Sequence, residues 1–394
     1  MHNHNIKSLL ELEEFNVKKI ENLKDCYYIH VEKKPDHYCC PVCGSSSIKI
    51  HDYRLQSIKD APIRSKPTII IYRKRRYKCK SCGKQFDEPN SFIAKYKRFS
   101  KKLISYVREQ LSCSISATEI AHSAGISTNI IGRMLPLFAL PATHLPRVLC
   151  IDEFRGNSGH FKYQVLLLDG ETHKIVDVLE CRYKHFLCDY FKKFPQSERD
   201  KVEVVVSDLW ETYSDIAFTY FRKAKFVADH FHFVRYIIQV VDALRKKVQK
   251  SLPKKERKYF KHSRYLLLSK NSKLSNSDCE KLLFILNNYS EDLRLAYKEK
   301  ELFCSFISSN ESFETKLELL KDWLWRNLNS DIPELVECAK TFQHWFQAIK
   351  NSLEFPYSNG PTEGTNNKIK VLKRVTYGMR NFTNFKARIL LLFA

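Results

Sequence analysis

No apolar run in this sequence approaches the roughly 18 residues that a membrane-spanning helix requires. A signal-peptide core is missing as well, because the opening segment MHNHNIKSLLELEEF is acidic and amphipathic. These two absences point to a cytoplasmic chain with no membrane partner. Acidic charge is in short supply: 44 Asp plus Glu face 67 Lys plus Arg, a formal charge of +23. That balance suits a phosphate-rich partner, and an anionic membrane surface would satisfy it as well as nucleic acid. Strand character is absent between about residues 233 and 350, where charge-rich helical sequence breaks near Pro253, Asn271 to Asn276 and Pro333. At 394 residues and 43% hydrophobic, the chain can bury more than one core.

Cysteine, by contrast, is plentiful at 13. Four fall into the pattern Cys40-Pro-Val-Cys43-Gly and Cys79-Lys-Ser-Cys82-Gly. In each C-x₂-C knuckle the turn aims two thiolates at one point and the glycine permits the tight backbone path, so two knuckles supply a tetrahedral Zn²⁺ site. The spacer holds the strand-like KPTIIIYRKRRYKC, which predicts a zinc ribbon over 1–92. A redox pair or buried thiols remain alternatives, and Cys39, His37 or His51 could replace one ligand. Cys150, Cys181 and Cys304 lack ligand spacing and read as small core residues. The ribbon's second half interleaves Arg73, Lys74, Arg75, Arg76, Lys78, Lys80 and Lys84 with Tyr72 and Tyr77. Alternation along a strand places Arg73 and Arg75 on one face, toward a phosphate backbone. A charged edge strand that resists aggregation gives the same composition.

Over 93–142 the spacing predicts a helix-turn-helix. Ser116 caps a short helix through Ser123, Gly125 makes the turn, and Ser127 caps a second helix from Thr128. Ile120, Ile126 and Ile131 can pack the two helices, leaving Thr128, Asn129 and Arg133 for the major groove. An ordinary helical hairpin shares the pattern; the preceding basic ribbon favours the DNA reading. Pro136, Pro141 and Pro146 mark a linker.

From 147 the periodicity shifts to strand length in RVLCIDEF, FKYQVLLLDG, HKIVDVLECR and KVEVVVSDLW, with a helix at HFLCDYFKKF. DGETHK is a hairpin turn, so Asp169 reads as turn chemistry. Asp152 and Asp208 sit where buried strands should end. A further helix, ETYSDIAFTYFRKA, and a short strand, KFVAD, lead to Asp229, His230 and His232. Far downstream, Glu363 in SNGPTEGTNNKIKVLKRVTYGMRNF opens a basic amphipathic helix. Convergence of the three carboxylates Asp152, Asp208 and Glu363 at one sheet edge would suit Mg²⁺ and phosphoryl transfer. Each acid also has a plainer account: a solvated strand end, or, for Glu363, helix-dipole complementation of about 0.3 to 1 kcal/mol. Asn366 and Asn367 are poor helix formers and suggest a polar task. Asn367, Lys370 and Arg374 would face DNA phosphates. Trp323, Trp325 and Trp345 read as core aromatics, with stacking of one of them on an unpaired base as the alternative.

The elements NG, TEGTNNKIK, KR, YGMRNFTNF and the closing Arg388 resemble the C-terminal signature of DDE transposases of bacterial insertion sequences, the ISL-three family. The blocks around Asp152 and Asp208 and the string ADHFHFVRY are similar to that family too, so the resemblance spans nearly the whole chain. It implies a multidomain α/β protein: the N-terminal zinc ribbon and helix-turn-helix, then a ribonuclease-H-like catalytic domain in two parts, 146–232 and 353–394, interrupted by an α-helical insertion at 233–352. In such a fold an Asp on the first strand and another after the fourth lie side by side, the places of Asp152 and Asp208. The resemblance further implies catalytic Mg²⁺ or Mn²⁺ on Asp152, Asp208 and Glu363, with His232 of the Asp229-x-x-His232 motif positioning metal, water or a DNA end. The expected partner is double-stranded DNA, at transposon ends and target, handled by at least a dimer near the bacterial nucleoid. A nuclease of the same fold, or a zinc-ribbon regulator with an inactive catalytic domain, remains open.

Overall fold

The computed structural model describes residues 12–93, 98–140, 142–156 and 158–393. Most of the acidic, amphipathic opening segment lies outside the described residues. Two folding units share the chain. The first contains the described residues up to Leu140, residues 158–159 and those from Ile369 onward; the second contains 142–156 and 160–368.

In the first unit, strands β1 (Phe15–Asn22), β2 (Tyr27–Lys33), β3 (Ile48–Ile63), β4 (Lys66–Cys79) and β5 (Gln85–Asp87) form one sheet in the order β1-β2-β4-β3, with β5 also on β4. The β3–β4 hairpin turns at Arg64 and Ser65, both at positive φ, the geometry that matches strand twist in a two-residue turn. Burial on β4 changes face part-way. Thr68, Ile70 and Tyr72 face a core with Phe15, Ile29 and Ile58, whereas Arg75, Tyr77 and Cys79 are buried on the opposite face.

Helices α1 (Lys101–Ser112), α2 (Ala117–Ala124) and α3 (Thr128–Phe138) follow. Ser116 and Glu119 form a reciprocal capping box on α2, and Gly125 ends that helix at φ +62. A Cβ on Gly125 would also lie 2.7 Å from Pro67, so the turn has two reasons for glycine. Ser127 holds the N-cap position of α3 without the expected side-chain bond. Pro136 lies inside α3, and the linker therefore starts later than the proline spacing suggests.

The second unit begins with β6 (Val148–Arg155), β7 (Tyr163–Asp169) and β8 (Ile175–Leu179), then α4 (Lys184–Phe191), α5 (Gln196–Arg199), β9 (Val204–Ser207), α6 (Glu211–Tyr220) and β10 (Lys225–Ala228). The sheet order is β10-β9-β6-β7-β8, with β10, β9 and β6 parallel and β7 and β8 antiparallel to their neighbours. Both faces are covered, which explains the continuous apolar runs. Leu149, Ile151, Val165 and Val205 pack on one side; Val148, Cys150, Leu168 and Val206 pack on the other. Asp169 accepts from the Glu171 amide at 2.9 Å, as turn chemistry predicts.

Eight helices come next: α7 (His230–Ser251), α8 (Lys254–His262), α9 (Arg264–Leu268), α10 (Asn276–Asn288), α11 (Glu291–Ser308), α12 (Phe313–Leu328), α13 (Pro333–His344) and α14 (Phe346–Glu354). Their breaks fall at Pro253, at a short 3₁₀ turn over Asn271–Lys273 and at Pro333. Phe233, Phe303, Trp323 and Phe342 form an aromatic core there, with Trp323 Nε1 donating to the Glu299 carbonyl at 3.1 Å. Trp325 departs from expectation, being 70% exposed.

The last helices are α15 (Gly360–Val375) and α16 (Phe382–Leu392). Read from sequence, 353–394 belongs whole to the catalytic domain, but the chain from Ile369 onward packs in the first unit. The physical reason is the apolar face of α16. Ala387 and Leu391 enter the core of Leu103, Val107, Ile120 and Ile131, so the helix-turn-helix is closed by a fourth helix. Arg388 is buried there and donates to the carbonyls of Leu111, Cys113 and Ile115, satisfying acceptors left over where α1 ends.

Candidate active site and zinc knuckles

Each cysteine knuckle folds locally. Gly44 and Gly83 take φ of +71 and +74, and their amides donate to the Cys40 and Cys79 carbonyls at 2.9 and 3.1 Å. The β3–β4 pairing sets Ile48 opposite Cys79, which brings the two knuckles together. Cys40 Sγ lies 3.5 Å from Cys82 Sγ, and Cys43 Sγ 3.6 Å from Cys79 Sγ. Tetrahedral Zn–S bonds of about 2.3 Å imply sulfur separations of about 3.8 Å, close to these values. Backbone amides aimed at Sγ, first that of Cys82, lower Cys79 to about 6, and those of Cys43 and Val42 lower Cys40. Against a lowering bond from the Ser45 amide, the neighbouring thiols and burial push Cys43 up to about 12, so the fit to zinc rests on the sulfur spacing and the four-thiol donor set. His51 instead meets Gln85 at 3.2 Å.

The basic strand is only partly as expected. Arg73 is exposed and stacks on Tyr53 at 3.8 Å, but Arg75 is buried, bonded to Glu32 at 2.8 Å and Glu88 at 3.1 Å. The change of buried face along β4 is the reason, and it makes Arg75 a structural cation rather than a phosphate contact. On α3, Thr128, Asn129 and Arg133 are all exposed.

In the second unit the register does most of the work. Ile151 pairs with Ser207, and Ser207 with Ala228, on three adjacent parallel strands. Asp152, Asp208 and Asp229 are the next residue in each case, so three carboxylates share one sheet edge. His232, in the first turn of α7, reaches Asp208 with Nε2 at 2.8 Å. Ligand atoms of Asp208, Asp229 and His232 lie within 4.8 Å of one another. Burial first, and the neighbouring Asp208 second, push the Asp152 carboxyl up to about 7. Burial likewise raises Asp229. Burial opposes a charge on His232, yet its bond to Asp208 and the surrounding carboxylates outweigh that and raise it. An acid held this far up beside another acid is one that a divalent cation would ionise.

The start of α15 is tied to the same edge. Asn359 N–H donates to Asp229 Oδ1 at 3.0 Å, its Nδ2 to the Ile151 carbonyl at 3.4 Å, and Asn366 Nδ2 to Asp152 Oδ2 at 2.7 Å. Glu363 stands in the first turn of that helix, exposed and outside the cluster around His232. Asn367, Lys370 and Arg374 are exposed further along α15. The polar task suggested by the paired asparagines falls to Asn366.

The profile of a transposase family, ISL3 (ISL-three), matches residues 149–389, and that of the zinc-finger of transposase IS204/IS1001/IS1096/IS1165 matches 37–82. The chain belongs to the ISL3 family of DDE transposases. This ISL3 protein is 23% identical over 357 residues to the transposase for insertion sequence element IS1001 of Bordetella parapertussis, covering 89% of this chain and 87% of that one. It is 23% identical over 245 residues to the transposase for insertion sequence element IS1557 of Mycobacterium tuberculosis, covering 56% and 54%. A Lactococcus lactis protein named ATP-dependent protease is 42% identical over 105 residues, only 26% of this chain and 31% of that one.

Sequence reasoning missed Asn359, and it gave Asn366 a polar task without placing it on Asp152. Their spacing of seven, one helical face around Glu363, is the signal that could have found them.

Proposed function

We propose that this transposase cuts DNA at the terminal inverted repeats of its insertion sequence and joins the freed 3′ ends to target DNA, with the second unit as a ribonuclease-H-like catalytic domain. The helical stretch 233–352 is then an insertion between the second acid and Glu363. The observation that carries the reading is the register that lines up Asp152 and Asp208, with α15 anchored across them by Asn366. Mg²⁺ or Mn²⁺ held by Asp152, Asp208 and Glu363 would activate water and stabilise the leaving oxygen. Asn366 fixes the Asp152 carboxylate, and His232 does the same for Asp208. Asn367, Lys370 and Arg374 offer positions for phosphates. The ribbon, with structural Zn²⁺, and Thr128, Asn129 and Arg133 of α3 recognise the ends, and pairing two ends calls for at least a dimer on DNA.

The test is a plasmid carrying both element ends, incubated with target DNA and Mg²⁺ or Mn²⁺. Asp208→Asn is expected to keep end binding and lose cutting by on the order of a thousandfold. Cutting without a joined donor–target product would leave a nuclease instead, and cutting retained by Asp208→Asn would remove that acid from the chemistry. The grouping of Asp229 with Asp208 and His232 favours a second ligand set with Asp229 as the third acid. Glu363→Gln and Asp229→Asn, compared for Mn²⁺ affinity and cutting, decide between them.

A further inference from the structure

In the first unit a basic trough crosses the ribbon and ends at α3. Its first part, about 800 Å³, lies over β3, β4 and β5, where Arg54, Lys74, Arg76 and Lys84 stand among apolar walls such as Pro41 and Phe86. Strand pairing sets Arg54 opposite Lys74, so the two side chains share a face. A second part, about 630 Å³, is lined by Ser57, Lys59, Arg98, Phe99 and Ile130. Leu55 and Gln56 wall both parts, which therefore adjoin.

The charge in this trough exceeds what the protein itself neutralises. Among the described residues two carboxylates line it, and both are occupied: Asp87 by Lys74 at 2.8 Å, and Glu88 by the buried Arg75 at 3.1 Å and the Tyr72 hydroxyl at 2.7 Å. Lys59 is held by the Gly125 carbonyl. That leaves Arg54, Arg76, Lys84 and Arg98, with Asp52 near the first two only at 3.9 and 3.8 Å. Arg54, Lys84 and Arg98 are exposed. The two parts are also bonded into one body. Lys59 N–H donates to the Arg98 carbonyl at 2.9 Å, Ser100 N–H to the Lys59 carbonyl at 3.0 Å, and the Ser100 hydroxyl that caps α1 donates to buried Asp60. At the other contact, Pro67 of β4 leaves no room for a side chain on Gly125.

These walls select the ligand. Cations set on β3, on β4, in the turn before β5 and just before α1 suit an anion that repeats along its length better than a compact one. Ile130 directly follows Asn129, so a polyanion that leaves the trough passes the exposed face of α3. We propose that the trough holds the phosphate backbone of one strand of the terminal repeat, with Arg54, Arg76, Lys84 and Arg98 meeting successive phosphates. This rests on the end-binding part of the reading above. Ribbon and α3 then engage the repeat in one fixed register, and the spacing between their contact sites on the DNA cannot vary.

The experiment uses the full, zinc-loaded protein and a duplex of the element terminus. Phosphate ethylation interference is expected to give one unbroken run on a single strand. Each of Arg54→Ala, Lys84→Ala and Arg98→Ala should flatten the salt slope of binding by about 1, and the triple variant by about 3, with zinc content unchanged. Inserting five base pairs within the run, about half a turn of DNA, should weaken binding about tenfold or more. Wild-type slopes in all three variants, or two blocks of interference with a tolerated insertion between them, overturn the trough. Every readout is binding, so a protein that binds the terminus but never cuts it sinks the catalytic reading and leaves this one to its own test; a protein that does not bind the terminus sinks both.

Discussion

The cysteine knuckles gather four thiols, the carboxylate edge gathers Asp152, Asp208, Asp229 and His232, and the two are encoded in opposite ways. Each knuckle is four residues long, and its glycine turn shapes it before any tertiary contact forms. Only one pairing, β3 with β4, is needed to bring the halves together. The carboxylate edge takes residues from β6, the ends of β9 and β10, and α7, with α15 as its brace. None of these carries the geometry alone. A local motif announces its chemistry through spacing; a dispersed one does so only once strand order is known.

Zinc removal should break this comparison most sharply. A chelator, or Cys79→Ser, is expected to unfold the ribbon, since structural zinc contributes about 10 to 16 kcal/mol of apparent binding free energy at neutral pH. Loss of zinc by elemental analysis should be accompanied by loss of end binding, while Mn²⁺ binding at the carboxylates persists. If the four-cysteine site still holds a full complement of zinc after Cys79→Ser, the ligand assignment is wrong.

Arg75→Ala comes next. It strands Glu32 and Glu88 in the ribbon interior, and the loss of one partner of a buried pair costs about 3 to 5 kcal/mol. Chemical denaturation of the full protein should show the first transition shifted, and an unchanged curve would return Arg75 to the surface. At the other site, Asn366→Ala should lower Mn²⁺ affinity or cutting by about 10- to 100-fold, the range for residues that orient a metal-binding carboxylate. Equal affinity in the variant and wild type would make the Asn366–Asp152 bond incidental. The smallest effect belongs to Arg73→Ala, which should leave stability unchanged and reduce the salt slope of end binding by about 1 if this residue meets a phosphate.

Arg73 and Arg75 also show where the sequence could be read and where it could not. Strict alternation puts both on one face, but β4 is long enough that different parts of it bury different faces, and two residues were enough for the environment to reverse. The strands carrying Asp152 and Asp208 were legible because burial on both sides demands unbroken apolar runs. Asp229 was visible as a neighbour of His232, although its place on the same edge depends on β10 joining β9. The return of α16 to the first unit was not legible. Its apolar face would suit any core, and only the match to α1 and α3, with Arg388 bonded to the carbonyls after Leu111, selects its partner.

That closing helix has a consequence for synthesis. The bundle that begins at Lys101 cannot close until Leu392 has left the ribosome. A prematurely terminated polypeptide lacks the fourth wall of this bundle, and a nascent one acquires it only after β6 to β10 are already made.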